Sequence, residues 1–354
     1  MPGNAFSSSR TPASICLIRT SALGDVTHVV PLLRTLQAGL PTTRLTWLVG
    51  KLEHRLVGDI AGVEFIVFDK ARGVAAFSEV RKRLSGRHFD VLLHLQVALR
   101  ANLLSALVRA PLRVGYDPAR SKDLHALFVN RRIEARSGEH VLDAMASFLE
   151  PLRLKQTEVR WDIPVPAEAI EFAARHLPGS VPTLLVSPCS SHRARNWRPE
   201  RYAAVMDHAA RCGWRVVLCG GPGAYERDFG NAIAAGCTNA PLDLIGKDTL
   251  KQFLALAQRA DLVLTPDSGP MHMANAVGTR VLGLHAASNP HRSGPYSDRR
   301  WCVDRFDAAA RKFRGRPATE LPWGTKLEYP GVMDLIETEA VIECFDRFAL
   351  QHGE

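Results

Sequence analysis

The stretch whose residue types most suggest chemistry spans residues 260–278, where a short apolar strand is predicted to lead directly into a helix. Asp267 and Ser268 follow the strand and offer oxygens that could cap the helix, and Gly269 allows a ligand to approach the backbone closely. His272 lies one turn into the helix. Free N–H groups and the positive end of the helix dipole make such a turn suitable for a diphosphate, although an ordinary capped turn has the same pattern.

A second strand-to-helix turn lies near the start of the chain. Residues 14–19 predict a strand, TSALGD follows, and an amphipathic helix is expected over about 26–38. Asp25 stands at the N-terminal edge of that helix, so its carboxylate should be exposed at the carboxyl end of a parallel sheet. By position alone, an N-cap is the commoner role for such an aspartate.

Two further groups of polar residues follow predicted strands in the second half. Ser190, Ser191 and Arg195 come after the strand at 183–187, and their hydroxyl and guanidinium groups suit phosphate oxygens; the alternative is a polar surface loop. Glu226 begins a helix after GGPG, where it could bond a ribose hydroxyl or simply interact with the helix dipole.

Several familiar motifs are missing from the sequence. No GxGxxG opens a helix, and GxxxxGK[ST], GxSxG, HExxH and a DxD carboxylate pair do not occur. Their absence argues against dehydrogenases, P-loop NTPases, esterases, zinc proteases and a metal held by adjacent acidic residues. Aromatic residues make up only 7% of the chain and do not cluster among the basic runs, which disfavours nucleic-acid binding.

The alternation of strands and helices predicts an α/β protein with two doubly wound Rossmann-like domains. We expect a disordered tail at 1–12, a first domain at 13–160, a linker at 161–181 and a second domain at 182–333. Residues 334–354 predict a final helix that could pack back on the first domain. Two such units should place ligands at the carboxyl ends of their sheets, across a cleft.

The charge distribution and the cysteine content indicate what kind of partner and which cellular compartment to expect. Residues 1–160 hold 23 Lys and Arg against 14 Asp and Glu, whereas the rest of the chain is balanced. The excess suggests an anionic partner for the first half, and Arg120 and Lys122 are candidates to meet it; a solvated basic surface is the alternative. Seven scattered cysteines without a CxxC pair favour a reducing, cytoplasmic compartment. No apolar run reaches the length of about 18 residues that a membrane span needs.

Four segments, taken in order, resemble a known family: SALGDVTHVVPLLRTL, SPCSSHRARNWRPERY, GGPGAYERDF and TPDSGPMHMANAVG. They are similar to the ADP-heptose lipopolysaccharide heptosyltransferases, glycosyltransferase family nine, and the similarity extends over nearly the whole chain after the tail. The resemblance implies a GT-B architecture with the acceptor on the first domain and the nucleotide-sugar on the second. It also implies inverting transfer without a metal ion or another cofactor.

The resemblance also implies roles for single residues. Asp25 matches the family's proposed general base in S-x-x-G-D-x-x-H. Ser190 and Ser191 fall where the family often has hydroxyl groups facing phosphate, and Arg195 falls where it usually has lysine. The donor turn D-[ST]-G-x-x-H matches Asp267, Ser268, Gly269 and His272.

One segment departs from the family pattern. Residues 286–296 read AASNPHRSGPY, where the family commonly has a Gly-Pro-Thr/Ser turn, and this difference bears on the identity of the donor sugar.

The sequence therefore predicts transfer of a heptose, or a related sugar, from a nucleotide diphosphate to an anionic lipid-linked oligosaccharide of the lipopolysaccharide inner core. Peripheral association with the anionic inner face of the cytoplasmic membrane would fit that acceptor. The alternatives are a transferase with another nucleotide-sugar donor, a nucleotide-sugar-binding protein of the same fold that transfers nothing, and a basic nucleic-acid-binding protein.

Overall fold

The computed structural model describes residues 11–352, which form two compact units divided between Pro164 and Val165. Most of the expected disordered tail therefore lies outside the described residues. The division falls inside the linker predicted at 161–181, and both units have the predicted α/β composition. The two units repeat one architecture, so each can be explained by the same physical rules.

The first unit is built on six parallel strands in the order β3-β2-β1-β4-β5-β6. The central strands are short runs of apolar residues, as expected when both faces of a parallel sheet are covered by helices. The strands are Ser14–Ile18 (β1), Arg44–Gly50 (β2), Val63–Phe68 (β3), Val91–His94 (β4), Leu112–Gly115 (β5) and Arg131–Arg132 (β6).

Helices cover the two faces of this sheet. One layer of the core joins Ile18, Leu48 and Phe68 to the buried side of a helix that follows the third strand. The helices are Leu23–Gly39 (α1), Lys51–Val57 (α2), Val74–Leu84 (α3), Leu99–Ala106 (α4) and Val141–Ala146 (α5).

The second unit repeats the topology with six parallel strands in the order β12-β11-β10-β7-β8-β9. The strands are Thr183–Val186 (β7), Arg215–Leu218 (β8), Leu242–Asp243 (β9), Leu262–Pro266 (β10), Arg280–His285 (β11) and Val303–Asp304 (β12). The helices are Ala167–His176 (α6), Pro199–Arg211 (α7), Ala224–Gly236 (α8), Leu250–Arg259 (α9), Gly269–Ala276 (α10), Pro290–Ser293 (α11), Phe306–Arg314 (α12) and Thr338–His352 (α13).

Local signals explain where several of these helices begin. Thr249 caps α9: its hydroxyl accepts a hydrogen bond from the Gln252 N–H, and the Gln252 side chain accepts one from the Thr249 N–H. Pro199 occupies the first position of α7, where its missing N–H would have no helical partner. His140 caps α5 by accepting a hydrogen bond from Leu142 N through Nδ1 at 3.1 Å.

Two segments outside the predicted second domain belong to the second unit. The helix α6, within the predicted linker, packs against α9. The last helix α13, which the sequence analysis allowed to pack on the first domain, contacts α7, β11 and β12. Trp214 lies against its Phe345, with ring centroids 5.0 Å apart, so the final helix completes the core of this unit.

Both sheets have a topological switch point, which is the place where the chain passes from one side of the sheet to the other. In the first unit it lies between β1 and β4, and in the second between β7 and β10. The loops that leave two such strands turn to opposite faces of the sheet and open a crevice at its carboxyl edge. Residues 11–352 contain no helix that is long and apolar enough to cross a membrane.

The final helix yields a prediction about stability. Phe345 is fully buried, so Phe345→Ala should lower the free energy of unfolding by about 3–5 kcal/mol through lost burial and a residual cavity. Leu350 on the same helix is 74% exposed, and Leu350→Ala should change stability by less than about 0.5 kcal/mol. Urea unfolding measures both changes; equal effects would show that α13 does not complete this core.

Candidate active site

The loops after β7 and β10 meet at the switch point of the second sheet. Ser190, four residues beyond β7, donates a hydrogen bond from Oγ to the carbonyl oxygen of Asp267 at 3.0 Å. Its own N–H donates to Asn196 Oδ1 at 2.7 Å, and the Asn196 amide donates to the Tyr225 hydroxyl at 3.1 Å. These bonds connect the loops after three strands, so the switch-point crevice is fixed by side chains.

Asp267 is the centre of this arrangement. Its Oδ2 lies 3.2 Å from Lys326 Nζ, 3.4 Å from Arg195 Nη1 and 3.3 Å from Ser293 Oγ. Its Oδ1 lies 3.9 Å from His272 Nε2. One buried carboxylate thus holds two cations at the carboxyl edge of the sheet.

The charge of Asp267 follows from these neighbours. Burial opposes its ionisation, but Lys326 and Arg195 together hold the pKa of Asp267 well below its usual range. Burial lowers the pKa of Lys326, and Asp267 opposes that shift. Burial also lowers the pKa of His285, which lies close to the carboxylate. Asp267 is therefore an anion at neutral pH and orients its cationic partners.

Arg195 has a second carboxylate partner. Its Nε and Nη2 donate to Glu328 Oε1 at 2.8 and 2.6 Å. Ser191, predicted beside it, is exposed on the same loop. The sequence analysis missed Lys326 and Glu328, because they lie in GTKLEY, about 60 residues after Asp267 and outside any recognisable motif.

The predicted helix cap at the donor turn was wrong in its details. Ser268 is the N-cap residue of α10, yet its hydroxyl shares a 2.8 Å hydrogen bond with Thr265 Oγ1 and makes no capping bond. Asp267 binds cations instead of capping. Because neither side chain caps the helix, the N–H groups at Gly269 and the residues after it are not occupied by these two oxygens. His272 lies on the buried side of this helix.

Glu226 closes the glycine loop that follows β8. Its Oε2 accepts a hydrogen bond from the Gly221 N–H at 2.5 Å. A Cβ added at Gly221 would lie 2.9 Å from Glu226 Oε1, so a larger residue there would displace the Glu226 carboxylate. The structure therefore gives Glu226 a structural partner within its own loop, and its contact with a ribose hydroxyl stays a prediction.

Asp25 lies at the switch point of the first sheet. It is the third residue of α1, where it forms an ion pair with Arg19 and accepts a hydrogen bond from Ala22 N at 3.3 Å. Arg19 also donates to the Leu95 carbonyl oxygen at 2.6 Å, after β4. The side chain of Asp25 remains one-third exposed, so the carboxylate is both oriented and accessible.

Next to this turn, a cavity of about 520 Å³ follows the carboxyl ends of the first four strands. Two of its lining residues are joined: the Gln96 side chain accepts hydrogen bonds from the N–H and hydroxyl of Thr20 at 2.8 and 2.9 Å. Glu53 in its wall is buried, which raises the pKa of that carboxyl. The cationic side chains that line the cavity are Lys51, Arg55, Lys70 and Arg100.

The two basic residues predicted to bind an acceptor lie outside the lining of this cavity. Arg120 pairs with Asp117 and with Glu139, the latter at 3.0 Å, and it donates to the Glu134 carbonyl at 2.9 Å. Its donors therefore hold the segment after β5 in place. Lys122 is exposed on that segment.

Sequence comparisons place the chain among known proteins. A sequence model of glycosyltransferase family 9 (heptosyltransferase) matches residues 77–323. The chain is 38% identical over 339 residues to the lipopolysaccharide core heptosyltransferase OpsX of Haemophilus influenzae, covering 96% of this chain and 98% of that protein. It is 25% identical over 304 residues to lipopolysaccharide heptosyltransferase 2 of Salmonella typhimurium, covering 80% and 85%.

Solved structures confirm the fold. A glycosyltransferase family 9 protein from Veillonella parvula superposes with a TM-score of 0.78 at 22% identity, covering 98% of this chain and 100% of that one. The Escherichia coli heptosyltransferase WaaC with ADP gives 0.72 at 18% identity, covering 95% and 99%. The predicted GT-B fold class and the predicted family are thus confirmed. The chain belongs to glycosyltransferase family 9 and is a glycosyltransferase.

Proposed function

We propose that this enzyme transfers a heptose from ADP-heptose to the lipopolysaccharide inner core, with inversion at the anomeric carbon and without a metal ion. The observation that carries the proposal is the pair of cations that Asp267 holds at the switch point of the second sheet. The names of the relatives support the substrates, since OpsX is a lipopolysaccharide core heptosyltransferase and WaaC was solved with ADP. The reaction takes place at the cytoplasmic face of the membrane that carries the acceptor.

The donor diphosphate is neutralised by protein groups in this proposal. Arg195 exchanges its bond to Glu328 for phosphate oxygens, and Lys326 supplies a second positive charge. Backbone N–H groups at the start of α10, beside Ser268 and Gly269, add dipolar stabilisation. Ser190 and Ser191 lie on the Arg195 loop as further donors, and His272 and Glu226 complete the donor site.

This mode of binding predicts activity in the presence of a chelator. With ADP-heptose and a lipid-linked core acceptor, ADP release and acceptor mass should be unchanged by EDTA, because Arg195 and Lys326 supply the positive charge that a metal ion would otherwise bring. The segment that departs from the family pattern includes Ser293, which contacts Asp267, so ADP- and UDP-linked hexoses belong in the same assay. Loss of turnover in EDTA would contradict metal independence. Faster turnover with a hexose donor would contradict ADP-heptose as the donor.

Asp25 is proposed as the general base. A sugar hydroxyl becomes a competent nucleophile as its proton passes to the carboxylate, its oxygen bonds to the anomeric carbon, and the bond to the diphosphate oxygen breaks. The electron pair of that bond leaves with ADP, and attack opposite the leaving group inverts the centre. Arg19 orients the carboxylate through their ion pair.

The substitution Asp25→Asn separates this role from helix capping. Asparagine keeps an oxygen that can accept the Ala22 N–H but cannot take the proton, so kcat should fall by about 10²- to 10⁴-fold with the Kd for ADP unchanged. Glu168→Gln, in the first turn of α6, controls for loss of a carboxylate at a helix start. If the Asp25→Asn enzyme folds normally and its kcat lies within threefold of wild type, Asp25 serves as a helix cap and not as the general base.

The cavity beside Asp25 is proposed to hold anionic groups of the acceptor. Its cations suit phosphate or carboxylate groups. The Gln96 amide and the Thr20 hydroxyl, which also line the cavity, suit the hydroxyl groups of a sugar. Arg120 and Lys122 do not line it, and their contact with an acceptor stays a prediction. In this proposal, acceptor recognition involves neither nucleic acid nor a bound cofactor.

Removing two of these cations tests the acceptor site. Lys70→Ala combined with Arg100→Ala should raise the acceptor KM at least tenfold, since a charge-assisted hydrogen bond contributes about 1.5–3 kcal/mol, and should leave the donor KM unchanged. Lys312→Ala with Arg316→Ala removes the same charge from the second unit and serves as the control. Equal acceptor KM values in the two double variants would exclude the cavity as the acceptor site.

A further inference from the structure

Four leucines of the first unit are exposed on neighbouring elements. Leu99 and Leu103 on α4 are 52% and 46% exposed, and Leu124 and Leu127 on the segment after β5 are 66% and 76% exposed. Leu99 and Leu103 are four residues apart and so share one side of their helix. Apolar side chains grouped on a surface in this way mark an interaction site more often than single exposed leucines do.

Hydrogen bonds join the two elements that carry these leucines. The Asp123 carboxylate accepts a bond from Leu99 N at 3.2 Å, and the Asp123 carbonyl oxygen accepts one from the Asn102 amide at 2.6 Å. Leu124 follows directly, and Leu127 N donates to the Leu124 carbonyl at 2.9 Å. The elements that carry the four leucines are therefore joined side by side, and we call these four exposed side chains the leucine surface.

The segment that presents Leu124 and Leu127 is positioned by a buried histidine. Asp123 and Leu124 have φ angles of 53° and 61°, a left-handed conformation that is unfavourable for leucine. Between the two leucines, His125 is buried: its Nδ1 lies 3.0 Å from Asn102 Oδ1, and its Nε2 accepts the Tyr116 N–H at 3.1 Å. Burial lowers the pKa of His125 to about 4, so this anchor stays neutral near pH 7.

The stretch of chain that carries the leucine surface is rich in cations. Residues 99–132 contain seven Lys and Arg but only two Asp and no Glu. Arg113 and Arg120 are bound by carbonyl and carboxylate groups of this unit. The remaining five are exposed and form no ion pair with another described residue: Arg100, Arg109, Lys122, Arg131 and Arg132.

We propose that the leucine surface docks on an anionic lipid bilayer, with the leucines in the interfacial layer and the surrounding cations against lipid headgroups. Lys122 precedes Leu124 by two residues, and Arg132 lies close enough to His125 to lower its pKa further. Exposed leucines together with exposed cations on the same stretch of chain match the chemistry of a bilayer interface, where insertion and headgroup attraction act together. The inference rests on the proposed function in one respect, since a lipid-linked acceptor requires the enzyme to work at a membrane.

Vesicle flotation tests this surface in the absence of donor and acceptor. The full-length protein should bind vesicles of phosphatidylcholine with about 30% phosphatidylglycerol, and binding should weaken in high salt. Leu124→Ser with Leu127→Ser should reduce binding at least tenfold. Lys122→Ala with Arg132→Ala should reduce it by more than tenfold as well, because each cation near an anionic surface strengthens binding roughly fivefold.

Ile170→Ser with Leu350→Ser provides the matched control, because these two side chains are 53% and 74% exposed in the second unit. This control should bind vesicles within twofold of wild type. All the substituted side chains are exposed, and melting temperatures verify that the variants fold. The proposal is overturned if the leucine variant binds vesicles as well as wild type does. It is also overturned if wild type does not bind vesicles and instead self-associates through this surface.

A delipidated core acceptor separates this inference from the proposed function. The leucine variant should transfer sugar to that soluble acceptor at the wild-type rate and lose activity only on vesicle-bound acceptor. If wild type binds vesicles through the leucine surface yet transfers no heptose, the proposed function fails and the docking surface stands. Equal loss of activity on both acceptors would place these leucines in the acceptor site instead of at the membrane.

Discussion

The proposed donor site of this enzyme depends on one buried carboxylate. Asp267 directly follows β10, in a place where burial alone would raise the pKa of its carboxyl, and the cations beside it hold that pKa well below its usual range. The stabilisation is mutual, because Lys326 and Arg195 are positioned by the same charge. A buried ion cluster is costly to assemble and costly to break, so its geometry is well defined. The proposed metal-free binding of a diphosphate would draw on such preorganisation.

The repeated topology explains how two sheets provide two different chemical environments. Each unit has its switch point beside its first strand, and each places an aspartate close to a cation there. Asp25 is one-third exposed, which suits a group that must exchange a proton, whereas Asp267 is almost fully buried, which suits a group that only holds charge. Depth in the crevice thus separates proposed proton transfer from proposed anion binding.

Sequence reasoning found the fold because alternating apolar strands and amphipathic helices are local patterns, and both sheets follow them. It also singled out Asp25, Ser190, Arg195 and Asp267, since each follows a strand in a recognisable motif, and their roles stay predictions. It missed Lys326 and Glu328, whose contact with the donor turn arises only when a distant loop folds onto β10. The expected caps at Asp267 and Ser268 were wrong because stronger partners, two cations and the Thr265 hydroxyl, compete for those oxygens.

The most direct test of this account is calorimetric titration of ADP into the enzyme in excess EDTA. Wild type should bind ADP, and Lys326→Gln, which keeps a hydrogen-bond donor for Asp267 but removes the charge, should weaken binding at least tenfold. Lys312→Gln, exposed on α12, should bind ADP within twofold of wild type. An unchanged Kd for Lys326→Gln, or wild-type binding that appears only when a divalent cation is added, would contradict the claim that Asp267 and its cations hold the donor.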